Sequence, residues 1–245
     1  MNLSKNTVLV TGGASGIGLA LAERFLTAGS EVIICGRNED KLREAQQKHP
    51  GLHYHVGDLA QESERLALVD RLRSEFPTLN VVVHNAGIQQ RLSLTQPPKD
   101  WSTYQQEIAI NLEAPIHLTV LLIPDLSRQA NSAFITVSSG LAFAPLAMVP
   151  VYCATKAALH SFTQSLRHQL ATTSIRVIEV IPPAVNTDLG GPGLHTFGVP
   201  VDEFADAVMH RLEQGDLEIG YGTSEKNRKA SRQELDEQFN RMNNR

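Results

Sequence analysis

Short apolar runs rich in Val and Ile recur along the chain, separated by longer stretches in which apolar residues return every three to four positions. The runs are Thr7–Val10, Glu31–Cys35, Leu52–Val56, Asn80–His84, Ala133–Val137, Arg176–Ile181 and Leu217–Gly220. The intervening segments Gly16–Ala28, Glu39–Lys48, Gln61–Glu75, Trp101–Leu126, Tyr152–Ala171 and Asp202–Gln214 carry helical spacing. Strand-helix-strand alternation with strands apolar along most of their length predicts a parallel sheet covered on both faces. Right-handed crossovers then give a doubly wound α/β fold, with its ligand crevice at the carboxyl ends of the strands.

Boundaries carry their own signals. Ala28-Gly29-Ser30 reads as a glycine helix stop, Pro77 ends the third helix, and Pro97-Pro98 precedes the fourth. No shift of composition divides the chain, so residues 1–245 are read as one domain. Two parts stand apart. The glycine-rich stretch within 188–200 is expected to act as a substrate lid. The charged tail 223–245 carries Leu235, Phe239 and Met242 on one face of a short helix, which docks on the body or on a second subunit.

Composition narrows the function classes. A hydrophobic fraction of 42% with 20% charged residues fits a globular chain, and a net charge of −4 argues against a basic nucleic-acid surface. The opening residues Met1–Asn6 lack a signal-peptide core, and no run of 18 uninterrupted apolar residues suggests a membrane span. A cytoplasmic location is therefore the expectation. Cys35 and Cys153 make neither a disulfide framework nor a zinc site. His53 and His55 share a strand face but lack further ligands, so no metal is expected.

The first strand runs into Thr11-Gly12-Gly13-Ala14-Ser15-Gly16-Ile17-Gly18, and helical spacing follows. Glycines let the backbone turn tightly and approach a pyrophosphate, while a helix N-terminus offers unpaired N–H groups. The spacing differs from the general G-x-G-x-x-G fingerprint, with three residues between Gly12 and Gly16. Tyr152-Cys153-Ala154-Thr155-Lys156 places a phenol and an ammonium on one helical face. A neighbouring cation favours phenolate, which moves a tyrosine toward the range of proton transfer. At the end of the second strand, Gly36 stands where an acidic residue would bind ribose hydroxyls, and Arg37 follows, suited to a 2′-phosphate.

Taken together, these elements resemble the short-chain dehydrogenase/reductase family over nearly the whole chain, and the resemblance implies its Rossmann-like fold. Thr11 to Gly18 looks like the T-G-x-x-x-G-x-G cofactor loop, with Gly12, Ser15, Gly16, Ile17 and Gly18 as its binding positions. Asn85-Ala86-Gly87 matches the N-A-G element, Asp58-Leu59 the adenine-contacting pair, and Asn111 the catalytic asparagine. Ser139 stands thirteen residues before Tyr152, the family's spacing for the catalytic serine, with Ser138 the adjacent alternative. Tyr152 and Lys156 match Y-x-x-x-K and are expected to touch the nicotinamide ribose as well. Pro182, Val185 and Thr187 flank the nicotinamide, but Pro183 replaces the family's glycine and removes a backbone donor.

The resemblance implies a mechanism. Tyr152 protonates a carbonyl oxygen as NADPH delivers hydride, Ser139 polarises that oxygen, Lys156 lowers the Tyr152 pKa, and Asn111 holds a water for proton resupply. With Arg37 as the discriminating residue, the cofactor is read as NADP(H). Leu141, Phe143, Pro145, Met148 and Val149 suggest an apolar lining for a small carbonyl or alcohol substrate. The resemblance also implies a homodimer or homotetramer. Apolar residues that spread around more of the Trp101–Leu126 helix than one buried face needs support a contact there, the alternative being that the C-terminal tail covers them. Two rivals remain, an NADP(H) sensor without catalysis and a scaffold acting through its tail.

Overall fold

The computed structural model describes residues 1–95 and 100–244. Pro97-Pro98 lie outside the described residues. Seven strands form one parallel sheet: β1 (Thr7–Thr11), β2 (Glu31–Gly36), β3 (Leu52–Val56), β4 (Val81–His84), β5 (Ala133–Val137), β6 (Arg176–Ile181) and β7 (Glu218–Gly220). Their spatial order is β3-β2-β1-β4-β5-β6-β7. The chain winds outward in one direction from β1 to β3, then crosses back to β4 beside β1. That reversal opens the crevice in which such sheets bind ligands.

The alternation of side chains sorts the core into two layers. Val8 and Val10 of β1 face Leu21 and Phe25 of α1 (Gly16–Thr27), with Phe204 of α7 (Val201–Gln214) in the same layer. Leu9, between them, faces the opposite layer of Leu68 and Leu72 of α3 (Glu62–Glu75), Leu118 and Leu122. Every residue of β1 is buried, as a strand covered on both faces requires. Burying each such aliphatic or aromatic side chain contributes roughly 1.5–3 kcal/mol. Helix α2 (Glu39–Lys48) covers the β2–β3 edge, and Asn38 caps it by accepting the Lys41 N–H at 2.9 Å.

The segment read as one helix, 101–126, is built in three parts. Helix α4 (Trp101–Ile108) widens into a π-turn (Ala109–Glu113) and continues as α5 (Ala114–Leu126). The π-turn contains Asn111, and its last residue, Glu113, pairs with the buried Arg65 at 2.6 Å. Arg65 also donates to the Leu59 carbonyl at 2.8 Å and to His117 at 3.0 Å. A fully buried guanidinium therefore ties the chain after β3 to the widened turn. By length and composition the whole run is apolar enough to cross a membrane, but half of its apolar window is buried inside this fold.

The charged tail differs from the single short helix expected. It forms α8 (Thr223–Asn227) and α9 (Arg232–Asn243), the latter started by a capping box between Ser231 and Glu234. No residue of α9 is buried, and Phe239 stays exposed. Helix α8 is fixed to the body by the Glu225–Arg211 ion pair at 3.2 Å, and α9 reaches it through Asn243, which donates to the Pro145 carbonyl at 3.1 Å and accepts the Ala147 N–H at 2.7 Å. The end of α9 thus lies beside the loop before α6 (Pro150–Gln169), the helix that carries Tyr152.

Candidate active site

The glycine turn after β1 is locked by its neighbours. Gly12 and Gly16 adopt positive φ of 66° and 54°, conformations that favour glycine. A Cβ at Gly18 would lie 2.4 Å from Asn85 Nδ2 and from the Gly12 carbonyl, so only glycine fits. Asn85 explains the close approach. Its Nδ2 donates to the carbonyls of Thr11 at 2.9 Å and Gly12 at 3.2 Å. The Thr11 hydroxyl completes the clamp by accepting the N–H groups of Asn85 and Ala86, both at 3.0 Å. Asn85-Ala86-Gly87 therefore sets the shape of the loop from the neighbouring strand.

That loop fits a dinucleotide phosphate. Ser15 stands at the N-cap of α1 with no side-chain capping bond, and the first turn carries no acidic residue. The N–H groups of Ile17 and Gly18 at the head of the helix thus meet no competing anion from this turn. Thr187 covers the turn, with its Cγ2 3.2 Å from where a Gly16 Cβ would sit. Leu59 and Ala86 share a cavity lining with Thr11 and Ile110, and the Asp58 carboxylate accepts the Ala60 N–H at 3.1 Å. Arg37 is exposed just outside α2, because Asn38 is the cap, and it forms no ion pair among the described residues.

The second cluster gathers where β5 gives way to α6. Ser139 and Ser138 point apart. Ser138 donates its backbone N–H to the Val180 carbonyl at 2.9 Å and is held in the sheet. The Ser139 hydroxyl accepts the Leu141 N–H at 3.1 Å and lies close enough to the Tyr152 phenol to lower its pKa. Alternation along the extended chain makes Ser139 the serine that meets the phenol. Tyr152 packs with Val149 and Cys153, ringed by Leu141, Leu146 and Leu189, the last from the 188–200 segment. Phe143 instead meets His160 edge-on, with centroids 4.7 Å apart, and Pro145 and Met148 are exposed.

The electrostatics depart from expectation. The Lys156 ammonium donates to the Val137 carbonyl at 2.8 Å and lies 5.7 Å from the Tyr152 ring centre. Burial draws Lys156 down to about 8. Burial also pushes the Tyr152 phenol up from its ordinary value, while the nearby Ser139 hydroxyl pulls it back and Lys156 is not among the groups that move it. Desolvation disfavours charge on both groups at once. The phenol is therefore held neutral, the form that donates a proton.

Asn111 joins the clusters. Its Oδ1 accepts the Ile88 N–H at 2.9 Å, and its Nδ2 donates to the Ile88 carbonyl at 2.8 Å and to Thr155 at 3.2 Å. Gly87 lies between, with its Cβ position 3.4 Å from Asn111 Oδ1 and 3.6 Å from Lys156 Nζ. The loop at Pro182 and Pro183 is anchored by the Gly140 N–H on the Pro182 carbonyl at 2.9 Å, and Val185 forms a parallel bridge with Val199. Both ends of 188–198 are thereby pinned together. Sequence reasoning missed Glu107, fully buried on α4 one turn before Asn111. Its only sequence signal is a glutamate spaced like Asn111 on the helix's inner face.

Comparisons with known proteins identify the family. The family model described as short chain dehydrogenase matches residues 6–194. The chain is 46% identical to the Bacillus subtilis (strain 168) protein named "Uncharacterized oxidoreductase DltE", covering 99% of this chain and 98% of that one. Among solved structures, a short-chain dehydrogenase from Sphingobium yanoikuyae in complex with NADPH is 26% identical. It superposes with a TM-score of 0.79 over 88% of this chain and 87% of that one. A short chain dehydrogenase from Burkholderia cenocepacia J2315 in complex with NADP shares the fold, with a TM-score of 0.84, 24% identity, and 98% and 99% coverage. The chain belongs to the short-chain dehydrogenase/reductase family of oxidoreductases.

Proposed function

We propose that the whole chain works as one catalytic domain, an NADP(H)-dependent reductase of small carbonyl compounds, with Tyr152 as the proton donor. The observation that carries this reading is the convergence at Gly87. There the Asn85-clamped glycine loop, the Lys156 ammonium and Asn111 meet within a few ångströms of one backbone turn. Bound NADPH supplies the hydride to the carbonyl carbon. The neutral Tyr152 gives its proton to the carbonyl oxygen, and Ser139 orients that oxygen by hydrogen bonding. Lys156 and the ribose hydroxyls are natural partners, and Asn111 fixes the backbone at Ile88 on which the nicotinamide would rest.

Arg37 supports NADP(H) over NAD(H), since it stands exposed beside Gly36 at the end of β2 and a guanidinium grips a phosphate with two charge-assisted bonds. The presence of NADPH in the Sphingobium yanoikuyae structure is consistent with it. Leu141, Leu146, Val149 and Leu189 favour substrates with apolar groups flanking the carbonyl, with 188–200 closing over them. Stoichiometric NADPH oxidation by a panel of ketones and quinones tests the reading. Absence of oxidation across the panel, with NADPH bound, counts against it.

Assembly follows from the helical run 101–126. Ile108, Leu112, Ile116 and Val120, spaced four apart, are not buried, and Val120 is 60% exposed. An apolar stripe of this kind suits a helix-to-helix contact between copies. The tail, whose last helix bonds to Pro145 and Ala147, is placed elsewhere. Light scattering at micromolar concentration is expected to give a dimer or tetramer, and Val120→Glu to shift it toward the 26.8 kDa chain. A fully active wild-type monomer would refute it.

A further inference from the structure

Glu107 is a buried acid with no place in the mechanism above. Its Oε1 accepts the Gln90 N–H at 3.0 Å, and its Oε2 has no hydrogen-bond partner among the described residues. Gln90 returns to the same helix by donating its side-chain amide to the Thr103 carbonyl at 2.9 Å. On one side of Gln90, Ile88 is gripped by Asn111; on the other, the Leu92 N–H donates to the Met148 carbonyl at 3.1 Å. Glu107 is thus the middle of three fastenings that hold segment 88–92 between α4 and the loop that leads into Tyr152.

Helix α4 packs on α6, and a charge on Glu107 would push the Tyr152 and Cys153 groups of α6 upward. Lys156, on the same helix, is committed to the Val137 carbonyl, and Arg91 in the segment itself is exposed. Tyr104 is the titratable neighbour on its own helix, one turn away. No cation pairs with Glu107 among the described residues. Burial lifts its carboxyl to about 7 against the pull of the Gln90 N–H. A lone carboxyl in such a place keeps its proton near neutrality and loses it soon above.

We propose that Glu107 is a positioning residue of the reaction, a protonated acid that fastens segment 88–92 at the substrate site and whose ionisation disables Tyr152. The proposal rests on the reading of Tyr152 as proton donor. An anion near the phenol makes it a weaker acid, and it opposes the negative charge that develops on the carbonyl oxygen during hydride arrival. Carbonyl reduction therefore falls as pH rises through the Glu107 transition, before Tyr152 itself ionises.

The test is kcat for NADPH-dependent reduction against pH, each protein normalised to its own value at pH 6. The wild-type rate falls about tenfold by pH 8, as one ionisation near neutrality requires. Glu107→Gln keeps an oxygen for the Gln90 N–H and cannot ionise, so its profile stays within about threefold over the same range. Glu107→Leu, which loses the acceptor, raises KM. An infrared acid C=O band, lost between pH 6 and 8 and absent in Glu107→Gln, reports the proton without reference to activity. The same falling limb in Glu107→Gln, or no such band at pH 6, overturns the proposal. If Glu107→Gln does not fold, Glu107→Asp must displace the limb, and an unmoved limb overturns it equally. Lost turnover at every pH with the band intact would indict the Tyr152 reading alone.

Discussion

Tyr152→Phe is expected to lower turnover about 10²–10⁴-fold, the usual contribution of a general acid, while NADPH affinity stays near that of the wild type. The ring is buried against Val149 and Cys153 and remains in place without its hydroxyl. What disappears is the phenol oxygen near Ser139, the proposed carrier of the proton. A single hydrogen bond is worth roughly 1 kcal/mol to stability, far too little to unfold the chain. Single-turnover NADPH oxidation and fluorescence titration of the nicotinamide separate the two effects. Near wild-type turnover in the Phe variant would remove Tyr152 from the reaction.

Arg37→Ala is expected to weaken NADPH tenfold or more and leave NADH unchanged, because a charged hydrogen bond contributes about 1.5–3 kcal/mol. Adding Gly36→Asp should turn the preference toward NADH. The new side chain has room: a Cβ at Gly36 meets only Leu42 Cδ2, at 3.9 Å, an ordinary contact. Its carboxylate would stand where ribose hydroxyls bind in such folds and would repel a 2′-phosphate. Calorimetric titration of both cofactors reads the result. Equal wild-type affinities for NADPH and NADH would show that Arg37 has no part in the choice.

The central strands were legible because a parallel sheet buried on both faces demands near-continuous apolar runs, and β5 and β6 fall at the boundaries that those runs mark. The glycine loop was legible because its conformations exclude other residues. The choice between Ser138 and Ser139 needed the extended backbone, which commits one serine to Val180 and turns the other to Tyr152. The π-turn at Asn111 had no local signature. It stands where Arg65, distant in sequence, pairs with Glu113, and where Asn111 meets Ile88. Glu107 escaped for a related reason, since a glutamate in a helix reads as solvated until the packing of segment 88–92 is known. The start of α9 was readable: Ser231-Arg232-Gln233-Glu234 has the capping-box spacing, but the charge around it reads first as a tail.

The pressure of burial on the site also fixes a direction for pH. Lys156, drawn down to about 8, is cationic at neutral pH and loses its charge in mildly alkaline solution. Tyr152, pushed up, stays protonated across that range. Near neutral pH the pair therefore presents a cation and a proton donor together, the combination that carbonyl reduction uses.

The most direct test of the account follows a labelled hydride. NADPH carrying deuterium at both nicotinamide C4 positions is incubated with the wild-type chain and a reducible ketone, and the product alcohol is analysed by mass spectrometry. One deuterium on the carbinol carbon, matched mole for mole by oxidised cofactor and absent with Tyr152→Phe, is the predicted result. Tight NADPH binding with no cofactor oxidation across the ketone and quinone panel, and no deuterium in any product alcohol, would contradict it and would make the chain a cofactor sensor.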